Sequence, residues 1–589
     1  MEERGGRLGE AHRARQIGAV LLLGLGALAL AGSGPEASSA AATPEPRGRF
    51  HFVDVAARLG LTRVLLAGRP DKDHLLDSAG AGAAFLDYDK DGRLDIYLVN
   101  GWRLDGSRVV ERGRNALYHQ RSDGTFEDVT DAAGVGGEGL WGSGVTVADY
   151  DNDGWPDILV TGFGRNVLYR NLGNGRFENV AARVGIEAPG WNTAAAFFDA
   201  DGDGWLDLYV AQYIDCTLDD VLLAKPTLSW RGLEKVAYGP FGLKGAPDHF
   251  FRNLKGRFVD ATEEAGLKDQ ALGFGLAVRA VDVDDDGDLD LYVANDSDPN
   301  YLYRNDGTGH FKEVAVPTST AFDANGAAQA SMGIAVGDVD GDGILDMFVT
   351  AFSEDMSTLY KGLGGGFFTD VSRETGVGPA TYRPLSWGTA LADFDNDGDL
   401  DLVVADGHIY PQIDKHPEVI GTYRQRNLLL ENRSIRDDVP AGAPPETLFR
   451  DATEQAGPGF QLLRAHRGVA VGDFDNDGRL DILITALDEP PELLHNEGAA
   501  GSWLTVVCEI PGGTAIPIGT KVTVTAGGRK MTRDVAAGDS YVSNHDPRLH
   551  FGLGKAETAD EVLVRWPDGT RSVRTNVRAR QFLVVKKGT

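Results

Sequence analysis

Seven times along this chain a run of small and apolar residues gives way to a short polar stretch, and a second apolar run follows. The runs before it read "GSGVTVAD", "MGIAVGD", "WGTALAD" and "RGVAVGD". Those after it read "IYLVN", "ILVTG", "LYVAQ", "LYVAN", "MFVTA", "LVVAD" and "ILITA". Short runs rich in β-branched and aromatic residues predict strands. A hairpin such as "NVLYRNLGNGRFENV" (166–180) comes next, with Asn-Gly at its turn. A segment like "DVTDAAGV" then links to the following copy. One unit is therefore about four strands with essentially no helical pattern, and copies recur at 50–83 residues. Gly and Ala in the first strand suit strands crowded round a central axis, so the expected fold is all-β, a seven-bladed propeller.

The two ends of the array predict closure. Six copies finish with a segment such as "GTFEDVT" (124–130) or "GRFVDAT" (256–262), whereas "ELLHNEG" (492–498) passes straight into different sequence. The missing strand stands at the other end as "GRFHFVDVA" (48–56). The propeller is thus expected over 50–498, its last blade completed by the N-terminal strand.

The polar stretch is the strongest signal. It reads D-x-D-x-D-G-x-x-D in every copy, placing Asp at 87, 89, 91 and 95, then at 149, 151, 153 and 157. The next copies hold Asp199, Asp201, Asp203 and Asp207, then Asp282, Asp284, Asp286 and Asp290. The last three hold Asp338, Asp340, Asp342 and Asp346, Asp393, Asp395, Asp397 and Asp401, and Asp473, Asp475, Asp477 and Asp481. Two carboxylates about 4–5 Å apart at an effective dielectric of about 20 repel by roughly 3–4 kcal/mol. A cation among them removes that cost. Hard oxygens from positions 1, 3, 5 and 9, a carbonyl from position 7 and a Gly at the turn suit Ca²⁺. The stretches hold no Cys or His for a softer metal, and Mg²⁺, stricter in geometry, ranks second. Up to seven Ca²⁺ ions are expected, with a mainly structural role.

Composition narrows the partners. Among 589 residues, 57 basic against 88 acidic give a net charge of −31, which disfavours nucleic acid. Two cysteines, Cys216 and Cys508, exclude a disulfide-rich scaffold; two structural thiols are expected, with one long-range bridge as the alternative. Arg13 and Arg15 before the apolar run 17–31 and the "ALAG" site predict a signal peptide over 1–31, an uncleaved anchor being the alternative. Residues 32–49 read as a flexible linker. The mature chain is expected to be secreted, periplasmic or at the cell surface, with no transmembrane segment after cleavage.

The residues quoted above resemble the FG-GAP/VCBS repeat family, the calcium-looped propeller repeats of integrin α heads. "IGTKVTVTAGGRKMTRDVAAGDSYVSNHDPRLHFGLGKAETADEVLVRWPDGT" (518–570) is similar to the ASPIC/UnbV domain. The resemblance spans about 50–588 and implies an exported calcium-binding propeller with a small β domain, without a common enzymatic activity. Read alone, 502–588 is also all-β, with strands at "WLTVVCEI", "KVTVTA", "EVLVRW" and "QFLVVKK" and turns at Gly527-Gly528 and Pro567-Asp568-Gly569. Its Arg529, Lys530 and Arg533 form either a solvated face or a dock for an acidic surface such as its own propeller.

Two long insertions, 211–248 and 406–447, are where binding surfaces are usually built. Tyr213, Trp230, Tyr238, Phe241, His408 and Tyr410 in them suit stacking on sugar or anchoring a protein. His408 near Asp406, and His466 with Arg467, are the residues an enzyme would use, but no G-x-S-x-G, H-E-x-x-H or nucleotide loop occurs. The expected function is a binding or adhesion module for an unknown protein or glycan ligand at the cell envelope or beyond. The alternative is a carbohydrate-active enzyme, a polysaccharide lyase or hydrolase with its site at the propeller mouth.

Overall fold

A computed structural model describes residues 48–588 apart from 138, 238, 269–271, 417–420 and 435–447. The expected signal peptide, nearly all of the linker and Tyr238 lie outside the described residues. The described chain is all-β and propeller-like, with seven four-stranded antiparallel sheets between Phe52 and Asn496. Sheet two shows the plan: Trp141–Ala148, Asp157–Phe163, Val167–Asn171 and Phe177–Asn179 pair in chain order. In every sheet the Asp loop joins the first strand to the second.

Sheet seven departs from chain order. Its outer strand is Phe52–Asp54, which pairs antiparallel with Glu492–Asn496, Phe52 opposite Asn496. This is the strand expected from "GRFHFVDVA". The first strands neighbour one another in chain order, and the seventh, His466–Gly472, packs against the first, Ala83–Leu86. Hydroxyls tie these neighbours. Thr161 donates to Thr193 O at 2.5 Å, Thr193 to Gly275 O at 2.7 Å, and Thr350 to Trp387 O at 2.7 Å. Thr485 donates to Ala81 O at 2.5 Å, joining sheet seven to sheet one.

The linkers are more ordered than their sequence suggested. "DVTDAAGV" forms a one-turn helix, Thr130–Ala133, and equivalent turns occur at Ala56–Leu59, Ala181–Val184, Ala315–Thr318 and Ser372–Thr375. Asp128 accepts from the Thr130 backbone N–H and hydroxyl, and Gly134 at φ +80° ends the turn. A helix this short leaves no periodic pattern to read.

Residues 502–588 form a four-stranded sheet in the order Arg529–Asp534, Lys521–Ala526, Thr558–Arg565, Arg571–Arg578, and a three-stranded one. In the latter Ser502–Glu509 lies between Leu549–Gly554 and Phe582–Lys586. The Gly527-Gly528 turn forms as expected, both residues at positive φ. One buried apolar cluster runs from the first three sheets into this region, including Val147, Leu208, Leu504, Phe551 and Val562.

The segment joining Asp534 to Leu549 enters the axis of the array. Asn544 N donates to Ala83 O and Phe85 N to Asn544 O in sheet one; Val145 N donates to Val542 O in sheet two. Ser540 exchanges both backbone bonds with Ile334 in sheet five, and its hydroxyl accepts from Thr389 N in sheet six. Arg279 of sheet four pairs with Asp534 and Asp539. Val471 N of sheet seven donates to His545 Nδ1. The small residues of the first strands therefore have a second reason. A Cβ at Gly82 would lie 2.2 Å from Val542 O, and one at Gly468 would lie 2.5 Å from Ser543 Oγ.

Candidate metal centres and an axial cavity

Each Asp loop curls on its own backbone. In loop one, Asp87 accepts from Asp91 N (3.1 Å) and Gly92 N (2.9 Å), and Asp91 accepts from Arg93 N (3.0 Å). Asp95 accepts from Tyr88 N (3.2 Å) and, across the sheet, from Gln120 N (2.8 Å). Loop two repeats this with Asp149 on Asp153 N and Gly154 N, and Asp157 on Tyr150 N and Asn171 N. The carboxylates at positions 1 and 9 are thus fixed by N–H donors, and those at positions 3 and 5 face them. Oxygens of Asp87, Asp89 and Asp91 lie within 4.8 Å of one another, as do those of Asp149, Asp151 and Asp157, and of Asp199, Asp201 and Asp203.

Two observations bear on whether these residues fit a hard cation. In four loops the same atom, Oδ1 of the third-position carboxylate (Asp89, Asp151, Asp201, Asp284), is buried without a hydrogen-bond partner. Such an orphan costs about 1–3 kcal/mol, or more when charged. Burial also raises the ninth-position carboxyls, Asp95 to about 6 and Asp207, Asp290 and Asp346 to about 7, and it lifts Asp157, Asp401 and Asp481 well above the usual carboxylate range. Carboxylates so placed are held charged only beside a cation. The loops themselves supply only oxygen donors, which fit Ca²⁺. In loops one and seven an imidazole from the neighbouring strand, His119 and His495, joins the carboxylates, which the loop sequences alone did not show.

Part of the positive charge comes from a residue that sequence reasoning missed. The fourth residue of the third strand reaches back over its own loop. His119 lies 3.1 Å from Asp95, Arg170 lies 2.5 Å from Asp151 and 2.6 Å from Asp153, and His495 lies 3.1 Å from Asp475. Arg304 pairs with Asp284, Lys361 with Asp340 and Asp342, and Arg252 approaches Asp201 at 3.8 Å. The signal was present in "LYHQ", "LYRN", "FFRN" and "LYKG", but it appears only when the strands are aligned on the loops. Sheet six breaks the rule with Glu431, and Arg49 from the N-terminal segment pairs with Asp395 (2.8 Å) and Asp397 (2.7 Å) instead.

The loops also meet residues 502–588. Ala515 N donates to Asp149, Lys521 pairs with Asp282 and Asp285, Arg529 donates to Asp397 O and Arg548 to Asp473 O. Of the basic residues singled out from sequence, Arg529 makes such a contact, while Lys530 is exposed. The part-buried Arg533 lies close enough to Asp393 to feel its charge. Cys216 and Cys508 are both free thiols.

At the other end of the axis the long insertions build a cavity of about 320 Å³. Tyr213, Trp230, Phe241 and Tyr410 line it, as anticipated, together with Phe352, Trp387 and Asp296, which sequence reasoning missed. Tyr541, at the far end of the axial segment, packs edge-on against Trp387 (centroids 4.9 Å) and accepts from Gly80 N. The histidines considered for catalysis do not line the cavity. His408 is fully buried beneath Trp230 and Tyr410; burial and nearby Arg467 lower its pKa to about 3. His466 is buried between Glu492 (3.1 Å) and Asp406 O (2.9 Å). Arg467 stacks 4.1 Å over Trp387 and donates to the carbonyls of Ser78, Gly407 and His466.

Comparison with known proteins identifies the repeat. Residues 87–160, 149–210, 282–349 and 338–404 match the FG-GAP-like repeat, residues 467–502 the FG-GAP repeat, and residues 512–589 the family described as ASPIC and UnbV. Cartilage acidic protein 1 of Xenopus tropicalis is 26% identical over 521 residues, covering 84% of this chain and 71% of its own. The Mus musculus protein of that name is 26% identical over 530 residues, covering 85% and 72%. A solved Agrocybe aegerita lectin, described as recognising non-reducing terminal N-acetylglucosamine, superposes with a TM-score of 0.38 at 17% identity. That superposition covers 69% of this chain and 88% of the lectin.

Proposed function

Because this chain carries FG-GAP-like repeats and an ASPIC and UnbV domain and is homologous to cartilage acidic protein 1, we propose that it is an exported, calcium-stabilised binding module. The seven sheets are the blades of one closed propeller, residues 502–588 are a second β domain docked on it, and each Asp loop holds Ca²⁺. The four Asp side chains of each loop hold the ion, the seventh-position carbonyl completes the set, and the ion supplies the positive charge that the buried carboxylates need. Its binding energy becomes folding energy, because the unfolded chain has no such site. The ligand is an extracellular or cell-envelope protein or glycan.

The observation that supports this reading is the contrast between the two ends of the axis. At one end the Asp loops meet residues 502–588 around a cavity of about 880 Å³, and at the other the insertions build a smaller cavity lined by aromatic rings. No helix among the described residues is long and apolar enough to cross a membrane. The test incubates the mature protein in calcium with a panel of polysaccharides and envelope fractions, reading protein retained and soluble sugar released. Retention without release supports a binding module. Release that grows with time overturns it in favour of the lyase or hydrolase reading. If nothing in the panel retains the protein, the ligand is a protein absent from those fractions.

A further inference from the structure

The axial cavity has walls suited to one kind of charge. Tyr213, Trp230, Phe352, Trp387 and Tyr410 enclose it, and Asp296, Glu354 and Asp355 supply three carboxylates. No Lys, Arg or His is among the described lining residues. Its rings do not form a flat platform: Trp230 meets Phe352 at 82° and Tyr410 at 52°, with centroids 6.0 and 5.5 Å apart. Tilted aromatic faces around a small volume make a box, and ring faces with nearby carboxylates favour a cation. A sugar ring prefers a flat, parallel aromatic face, which these mutually tilted rings do not offer.

The chain itself places a cation at the rim. Arg231, next to Trp230 and half-exposed, lies 5.4 Å above the Trp230 ring and pairs with Glu354. Asp296 accepts hydrogen bonds from Tyr213 and Ser297, which hold its carboxylate in place. The buried Arg467 already engages a face of Trp387, so the receptive side is that of Trp230, Phe352 and Tyr410. We propose that this cavity binds a small organic ammonium ion, with Trp230, Phe352 and Tyr410 as the aromatic box and Glu354 and Asp296 as the counter-charge. Arg231 is then a tethered competitor at the entrance. The proposal rests on reading this end of the axis as the recognition surface, and narrows it to a ligand chemistry.

The experiment titrates the full chain, in calcium, with choline chloride, following tryptophan fluorescence and melting temperature. Sodium chloride and 3,3-dimethyl-1-butanol, the neutral isostere of choline, serve as controls. The expected result is a saturable response to choline alone. Trp230→Ala should weaken it at least tenfold in protein that still melts cooperatively in the absence of ligand. Glu354→Gln should weaken it severalfold, and Arg231→Ala should tighten it. No saturable response to choline, or an equal response to the alcohol, overturns the proposal. If choline fails while Trp230→Ala abolishes retention on the envelope panel, the ammonium assignment falls and the binding-module reading stands. If choline binds and nothing is retained, the proposal holds and it is the surface ligand that falls.

Discussion

The two ends of the axis are built by opposite means. At one end a nine-residue motif recurs seven times with every acidic position an Asp, and residues 502–588 close over it. At the other, no two copies agree: one insertion gives Trp230, another Tyr410, and the strand ends add Phe352 and Trp387. Repetition serves a stability problem that each sheet shares, since every loop must neutralise the same carboxylates. Departure from the repeat serves a task that arises only once per molecule. Exposed loops on a rigid scaffold are where such tasks accumulate.

Calcium removal is the largest test of that contrast. With seven sites, each contributing about 3–4 kcal/mol at an ion concentration 100 to 1,000 times the dissociation constant, excess chelator should lower the melting temperature by roughly 10 °C or more. The cavity end should lose structure only as the whole fold does. A melting temperature indifferent to chelator would mean that the strand cations, not Ca²⁺, neutralise the loops.

The axial segment joins the two ends, and Tyr541 is its tip. Its side chain is 1% exposed and packs on Trp387, so Tyr541→Ala should cost about 3–5 kcal/mol, read from urea unfolding. Val542 behind it adopts φ +49°, unusual for a β-branched residue, and is held there by the Val145 N–H. If Tyr541→Ala left stability unchanged, the segment would be a passenger in the axis.

Within the loop end, copies five and six sharpen the comparison. Loop five has its own cation in Lys361, and Asp340 and Asp342 remain part-exposed. Loop six has Glu431 where others have a cation, carries an extra Asp399, and buries Asp393 to 2% and Asp401 to 1%. Asp393→Ala should therefore destabilise the calcium-loaded protein by about 3 kcal/mol, and Asp338→Ala by about 1 kcal/mol, because only the first leaves several buried charges without their ion. Equal losses would show that the motif, not its surroundings, sets the cost.

How far the sequence revealed this depended on repetition. The Asp loops, the small-residue strands and the closing strand at Phe52 were readable because seven copies, or the final strand missing from the seventh, exposed them. The strand cations were equally periodic, but His, Arg and Lys at one position look like ordinary surface variation until the loops are seen beneath them. The axial segment "VAAGDSYVSNHD" had no copy to compare with, and its partners lie hundreds of residues away, Tyr541 against Gly80 and Trp387. For the cavity, aromatics inside insertions stood out, whereas Phe352 and Trp387 were indistinguishable from core. His408 and His466 illustrate the converse: a histidine near Asp406 and another next to Arg467 suggested chemistry, and burial against Arg467 or Glu492 gives both a packing role.

The effect expected at the cavity end is a pH dependence. The pKa of His408 is about 3 in the folded chain, against about 6.5 unfolded, and its Nδ1 accepts from Tyr410 N, which fixes the neutral ring. A folded pKa below the unfolded one means that the unfolded chain binds the proton more readily. The stabilisation is complete above pH 6.5 and is lost as pH falls towards 3, reaching roughly 2 kcal/mol by pH 5. His74, lowered to about 4 by burial and by Arg69, adds a parallel loss, and acid also weakens calcium binding at the opposite end. The informative quantity is therefore the difference between wild type and His408→Gln, measured from pH 7 to 5 in saturating calcium. The variant should lose about 2 kcal/mol less over that range, with the calcium-dependent part unchanged. Identical slopes would mean that His408 is solvated and that the floor beneath Trp230 and Tyr410 is open to water.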